Sequence, residues 1–128
     1  MREDDNMPKD KSRSLLIADD HTMLVEAISI ICANSGDFMI ETTGTFEGVI
    51  SKIDEFGPFD VILLDVNMPG MNGVSSVEEI VNYNQPGAVA VFSGDISTAV
   101  ARTCIEKGAM GFIPKTLTVS ALPNAIQL

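Results

Sequence analysis

The sequence predicts an α/β fold, a doubly wound parallel sheet with helices on both faces, on three observations. Five short apolar runs are separated by segments whose apolar residues recur at helical spacing. The first, third and fourth runs are hydrophobic throughout rather than alternating, as strands covered on both faces are, because they have no solvent side to make polar. Polar or charged residues follow most of the runs directly. At 128 residues the chain fits one such unit.

In order along the chain, the first strand is Leu15–Ala18, followed from about Thr22 by a helix with Leu24, Ile28 and Ile31 on one face. Phe38–Thr42 is the second strand, and Phe46, Val49, Ile50 and Ile53 mark the next helix. Val61–Leu64, the most apolar run, precedes Val74, Val77 and Val81. Ala88–Phe92 precedes Val100, Ala101, Cys104 and Ile105. Met110–Ile113 is the fifth strand, and Val119, Leu122 and Ile126 mark a last helix from near Thr118. Residues 1–13 form a polar leader expected to be flexible, and 14–128 the single domain. The last helix reaches Leu128 without a glycine or asparagine stop signal, so the chain is expected to be cut from a longer one.

Composition excludes several classes. With 45% hydrophobic and 20% charged residues the chain is neither disordered nor fibrous. Eighteen acidic against 8 basic residues give a net charge of −10, which repels phosphate backbones, so this segment is not expected to bind DNA. Two cysteines without motif spacing, Cys32 and Cys104, indicate buried thiols rather than a disulfide framework or a zinc site. The charged leader is no signal peptide and no run is long enough to span a bilayer, so a cytoplasmic location without membrane contact is expected.

In open α/β sheets ligands bind at the carboxyl ends of strands. There the first run ends in Asp19 and Asp20, the third in Asp65, the fourth in Ser93, and Lys115 follows the fifth closely; the second ends in unremarkable Thr42 and Thr43. Carboxylates gathered within a few ångströms repel one another and call for a cation. All-oxygen donors suit Mg²⁺, while zinc is disfavoured for want of a suitably placed histidine or cysteine. A carboxylate beside Mg²⁺ can attack phosphorus to give an acyl phosphate, with the metal and a lysine offsetting charge on the equatorial oxygens. Asp65 is the best placed nucleophile, and the Pro69-Gly70 turn behind it fixes an exposed loop at the strand mouth.

Each residue alone has a plainer explanation. Asp19-Asp20 can cap the helix from Thr22, Asp65 and Ser93 can open turns, and Lys115 can be a solvated cation. Their conjunction at the ends of four strands of one sheet carries the functional interpretation. His21 is taken as a solvated surface residue rather than a catalytic base, and Met68 and Met71 as packing groups.

These residues resemble the receiver domains of two-component response regulators, CheY-like domains, over about Ser14 to Leu128. The resemblance lies in Leu15-Leu16-Ile17-Ala18-Asp19-Asp20-His21, in Val61-Ile62-Leu63-Leu64-Asp65-Val66-Asn67-Met68-Pro69-Gly70-Met71-Asn72-Gly73, in Ser93-Gly94 and in Gly111-Phe112-Ile113-Pro114-Lys115. It implies a (βα)5 flavodoxin-like fold with strand order 2-1-3-4-5. It also implies phosphoryl transfer from a sensor histidine kinase to Asp65, a signalling domain rather than an enzyme, with self-phosphorylation and dephosphorylation its only chemistry. Asp20, Asp65 and the backbone carbonyl of Asn67 would bind Mg²⁺ directly and Asp19 through water. Lys115 would bridge to the phosphoryl oxygens, Ser93 would turn its hydroxyl toward them, and Phe112 would be the switch aromatic. The chain is most similar to the LuxR/NarL type, which implies a homodimer on phosphorylation, control of transcription, and DNA bound only by a C-terminal helix-turn-helix domain outside this sequence.

Many receivers have proline directly after the lysine, whereas Thr116 follows Lys115 here and Pro114 precedes it, so no cis bond is expected after Lys115. Two alternatives remain. A haloacid dehalogenase-like phosphatase would resemble a pattern with a second aspartate two residues past the nucleophile, where this chain has Asn67, which cannot donate a proton as a general acid. A phosphorylation-independent docking module would typically have lost one of the acidic, hydroxyl or lysine positions, and all are kept.

Overall fold

The four side chains of Val61–Leu64 are all apolar and all buried, so this segment can exist only inside the sheet. In the computed structural model, which describes residues 13–34, 36, 38–94 and 98–114, it is β3, the central strand. The other described elements are β1 (Arg13–Ala18), α1 (Thr22–Asn34), β2 (Phe38–Thr43), α2 (Phe46–Phe56), α3 (Gly73–Tyr83), β4 (Ala88–Ser93), α4 (Thr98–Glu106) and β5 (Gly111–Pro114). All pairings are parallel and the order is β2-β1-β3-β4-β5, the 2-1-3-4-5 order expected.

Strand position follows polarity. The edge strand β2 has no fully buried residue, carries Glu41, Thr42 and Thr43, and faces water along one side. The other edge, β5, ends in Pro114, which lacks an N–H to offer a further neighbour. Strand limits differ from expectation by one or two residues: β1 starts at Arg13, because pairing with Phe38 extends it, and β5 begins one residue late. Arg13 therefore belongs to the sheet rather than to the leader. The rest of the leader, Lys115 and the last helix lie outside the described residues.

Alternation along the central strands divides the core in two. Leu16, Ala18, Ile62, Leu64, Val89 and Val91 face α2, α3 and α4, meeting Val49, Ile53, Val77, Ile80 and Cys104. Leu15, Ile17, Val61, Leu63, Ala90 and Phe92 face α1, meeting Ile28 and Cys32. Both cysteines are buried and free, and burial pushes both thiols up. Met68 is buried and Met71 packs against the first cluster, as expected of packing groups.

At the amino end of the sheet, fully buried Asn84 stitches two loops together. Its Oδ1 accepts from Phe59 N–H at 2.8 Å, and its Nδ2 donates to the carbonyls of Phe59 (3.0 Å) and Ala88 (3.3 Å). Gly87 is needed there, since a Cβ at that position would lie 1.8 Å from the Phe59 carbonyl oxygen. No helix among the described residues is long and apolar enough to cross a membrane.

Candidate functional site

At the carboxyl end, the sheet's own hydrogen bonding runs one residue past the strands and fixes two acids. Asp19 N–H donates to the Thr43 carbonyl (3.0 Å) and Asp65 N–H to the Ala18 carbonyl (2.9 Å). Both are almost fully buried, Asp19 at 3% and Asp65 at 1% exposure, so their carboxylates are anchored rather than solvated. Asp20 is exposed beside them. Asp65 Oδ1 accepts from the N–H of Asn67 at 3.0 Å, an Asx turn that brings the Asn67 backbone against the acceptor carboxylate. Asp19 Oδ1 accepts in the same way from His21 N–H at 2.9 Å, and the His21 carbonyl then takes the N–H of Val25, opening α1.

The loop after Asp65 is a turn with its residue types in place. Met71 N–H reaches the Met68 carbonyl at 3.2 Å across Pro69 and Gly70, and Gly70 has φ +87°, the type II pattern of proline followed by a residue with positive φ. The turn is tied to α2 by Phe46 N–H donating to the Pro69 carbonyl (2.9 Å). A Cβ on Gly70 would come within 2.9 Å of the Phe46 Cβ.

Asp19, Asp20, His21 and Asp65 each present one ligand atom, and these atoms all lie within 4.8 Å of one another. Three carboxylates supply hard oxygen donors that fit Mg²⁺ and leave room for water and phosphate oxygens. The fourth member, His21, is 65% exposed, as expected of a surface residue, and it makes a contact the sequence did not foretell: its Nδ1 lies 2.7 Å from Asp19 Oδ1 and 3.6 Å from Asp20 Oδ1. The signal was the two-residue Asp-X-His spacing, which an Asx turn closes into contact. Thr42 and Thr43 also matter more than their chemistry suggested, lining with Asp19, Asp20, Glu26 and Gly44 a cleft of about 340 Å³ beside the cluster.

Of the other expected residues, Ser93 closes β4 opposite Pro114 of β5, which brings its backbone to the same mouth; its side chain and all of Lys115 lie outside the described structure. Phe112 pairs with Val91 and is half-buried against the core cluster that includes Val91 and Cys104.

Comparison with known proteins agrees with this geometry. Residues 15–127 match the response regulator receiver domain family. The glycerol metabolism activator of Pseudomonas putida is 33% identical over 115 residues, covering 88% of this chain and 52% of that protein. The nitrate/nitrite response regulator protein NarL of Escherichia coli K12 is 29% identical over 122 residues, covering 94% of this chain and 56% of that one. The chain thus spans about half the length of the curated relatives it matches. Among solved structures, a LuxR-family DNA-binding response regulator from Staphylococcus aureus superposes with a TM-score of 0.79 at 25% identity, covering 90% of this chain and 96% of that one. A CheY-like receiver domain protein from Methanospirillum hungatei JF-1 gives 0.81 at 23% identity, covering 91% and 92%.

Proposed function

Since the chain belongs to the response regulator receiver domain family, we propose that it is a phosphorylation-driven switch with Asp65 as its phosphoryl acceptor. The observation that carries this is the pair of buried acids, Asp19 and Asp65, anchored through the sheet's backbone at the mouth and clustered with Asp20. Like charges held together cost stability, and a fold keeps them where the charge has work to do. An Asp65 carboxylate oxygen attacks phosphorus, the new P–O bond forms as the bond to the donor nitrogen of a kinase phosphohistidine breaks, and the histidine leaves with the electron pair. Asp20, Asp65 and the Asn67 carbonyl would hold Mg²⁺ and Asp19 would help through water, and the ion would supply positive charge to offset that on the phosphoryl oxygens. Lys115 reaches those oxygens as a second cation. Ser93 turns its hydroxyl to them, and Phe112 shifts in step, converting a new charge into a changed surface.

Relatives about twice as long, among them a DNA-binding transcriptional activator of Escherichia coli, support the finer reading. In it this chain, a polar leader followed by the receiver whose first strand opens at Arg13, is the regulatory part of a cytoplasmic transcription regulator. A sensor histidine kinase phosphorylates it, phosphorylation favours a homodimer, and a C-terminal helix-turn-helix domain binds the DNA. The test is intact mass after incubation with Mg²⁺ and acetyl phosphate. A single phosphoryl gain that is absent in Asp65→Ala is expected; no gain in the wild-type chain would overturn the proposal.

A further inference from the structure

The groove between α2 and α3 lies outside the charged mouth and presents aromatic and apolar surface to solvent. Phe46 and Ile50 stand one turn apart on α2, Glu79, Asn82 and Tyr83 line the facing side on α3, and the cavity between them is about 470 Å³. Phe46 and Ile50 are half-buried, and Tyr83 is 45% exposed. The Tyr83 hydroxyl donates to Asp54 Oδ1, one further turn along α2 from Ile50, so the ring is held in place before any partner arrives. An aromatic side chain fixed in this way gives up little conformational freedom on binding, which suits it to anchor an interface. From Phe46 to Asp54 the groove runs about 12 Å, at about 1.5 Å per residue, which matches about two turns of a facing helix.

Charge decides what fits there. Glu79 lines the groove, Asp54 closes one end, and Glu47 stands at the other, where its Oε1 would lie 2.7 Å from a Cβ on Gly70. The single cation on the two helices, Lys52, is drawn away from them, its Nζ 2.7 Å from Glu41 Oε1 on β2 and over the Phe56 ring. The groove is thus apolar along its floor and negative at its rim. A second copy of this chain, at net charge −10, is repelled by that rim, as are nucleic acid and anionic membrane. We propose that the α2–α3 groove docks a basic amphipathic helix of a partner protein, its apolar residues against Phe46, Ile50 and Tyr83 and its lysines or arginines on Glu47, Asp54 and Glu79. The apolar stripe supplies affinity, and the rim charges supply orientation and encounter rate. None of these residues belongs to the acidic cluster around Asp65, so the proposal goes beyond the phospho-switch and does not depend on it.

The test adds to the full chain a synthetic peptide with blocked ends, about four helical turns of leucine, alanine, lysine and arginine, with leucines on one face and cations on the other. Tyr83 is the only tyrosine and there is no tryptophan, so tyrosine emission reads this groove directly. The expected result is a saturable change in emission at one peptide per chain, weakened by about tenfold or more in Glu79→Lys. Far-UV circular dichroism of that variant should match the wild type, since Glu79 is exposed. Glu106→Lys, the same charge change at an exposed residue of α4, should alter affinity by less than about twofold. Spreading the leucines round the peptide at unchanged composition should weaken binding by about tenfold or more. Equal weakening in Glu106→Lys, or undiminished binding of the rearranged peptide, would reduce the effect to general attraction and overturn the groove. Absence of saturable binding, or binding seen by calorimetry without a change in tyrosine emission, would overturn it too. Phosphorylation of Asp65 is measured separately, so its failure would touch the phospho-switch and leave the groove standing.

Discussion

The two ends of the sheet bury polar groups in opposite ways. At the amino end, Asn84 is fully buried and meets backbone donors and acceptors on two loops, so its amide is satisfied and neutral. At the carboxyl end, Asp19 and Asp65 are equally inaccessible, but their neighbours include one another and Asp20. The first arrangement makes the fold more stable than an apolar replacement that left Phe59 unpaired. The second brings three carboxylates to one mouth, where like charges repel one another. Burial alone therefore does not mark a site; the sign and source of the partners do.

Substitutions at each end should separate these roles. Asp65→Asn should abolish the phosphoryl gain measured by intact mass, while relieving like-charge repulsion and raising unfolding free energy by about 1 kcal/mol in urea titration. Loss of stability there would place the acid among the structural groups. Asn84→Ala should do the reverse. It leaves the Phe59 N–H and carbonyl unpaired and should cost about 3 kcal/mol, whereas the protein still folded at low temperature should phosphorylate normally. Gly70→Ala lies between the two ends in effect. A side chain at φ +87° costs about 1–2 kcal/mol, and the crowding against Phe46 should also slow acceptance of phosphate by shifting the turn behind Asp65.

The smallest effect is a pH dependence carried by the two buried thiols. Burial raises the Cys32 and Cys104 thiols in the folded chain, so their contribution to stability is complete below the unfolded thiol value of about 8.5. Above it the unfolded chain releases these protons first, and stability should fall as pH rises through the folded values. Thermal midpoints between pH 8 and 10 should decline less in Cys32→Ala/Cys104→Ala than in the wild type. An equal decline would assign the effect to other groups.

Much of this was legible in the sequence for a physical reason. Residue alternation reports directly on which face is covered, so the unbroken runs Leu15–Ala18 and Val61–Leu64 announced strands covered on both faces. Asp65 was legible because it ends the most apolar run. His21 was not, because periodicity places it on the entry to α1 and says nothing of a side chain folded back by an Asx turn two residues away. Asn84 was hidden likewise: its partners Phe59 and Ala88 are brought together only by the parallel register of β3 and β4.

Because neighbouring residues of β3 serve different cores, its four residues act as a ruler. Removing one residue before Leu63 would exchange its outward and inward sides, sending Leu63 toward α2 and α3 and Leu64 toward α1. The same slip would draw Asp65 into the ladder and away from Asp19. Natural variation in chain length among receivers of this kind should therefore collect in the connections and leave the step count from Val61 to Asp65 untouched. The distance between the floor of the sheet and its charged mouth is thus set by counting peptides, and no compensating change elsewhere can restore it.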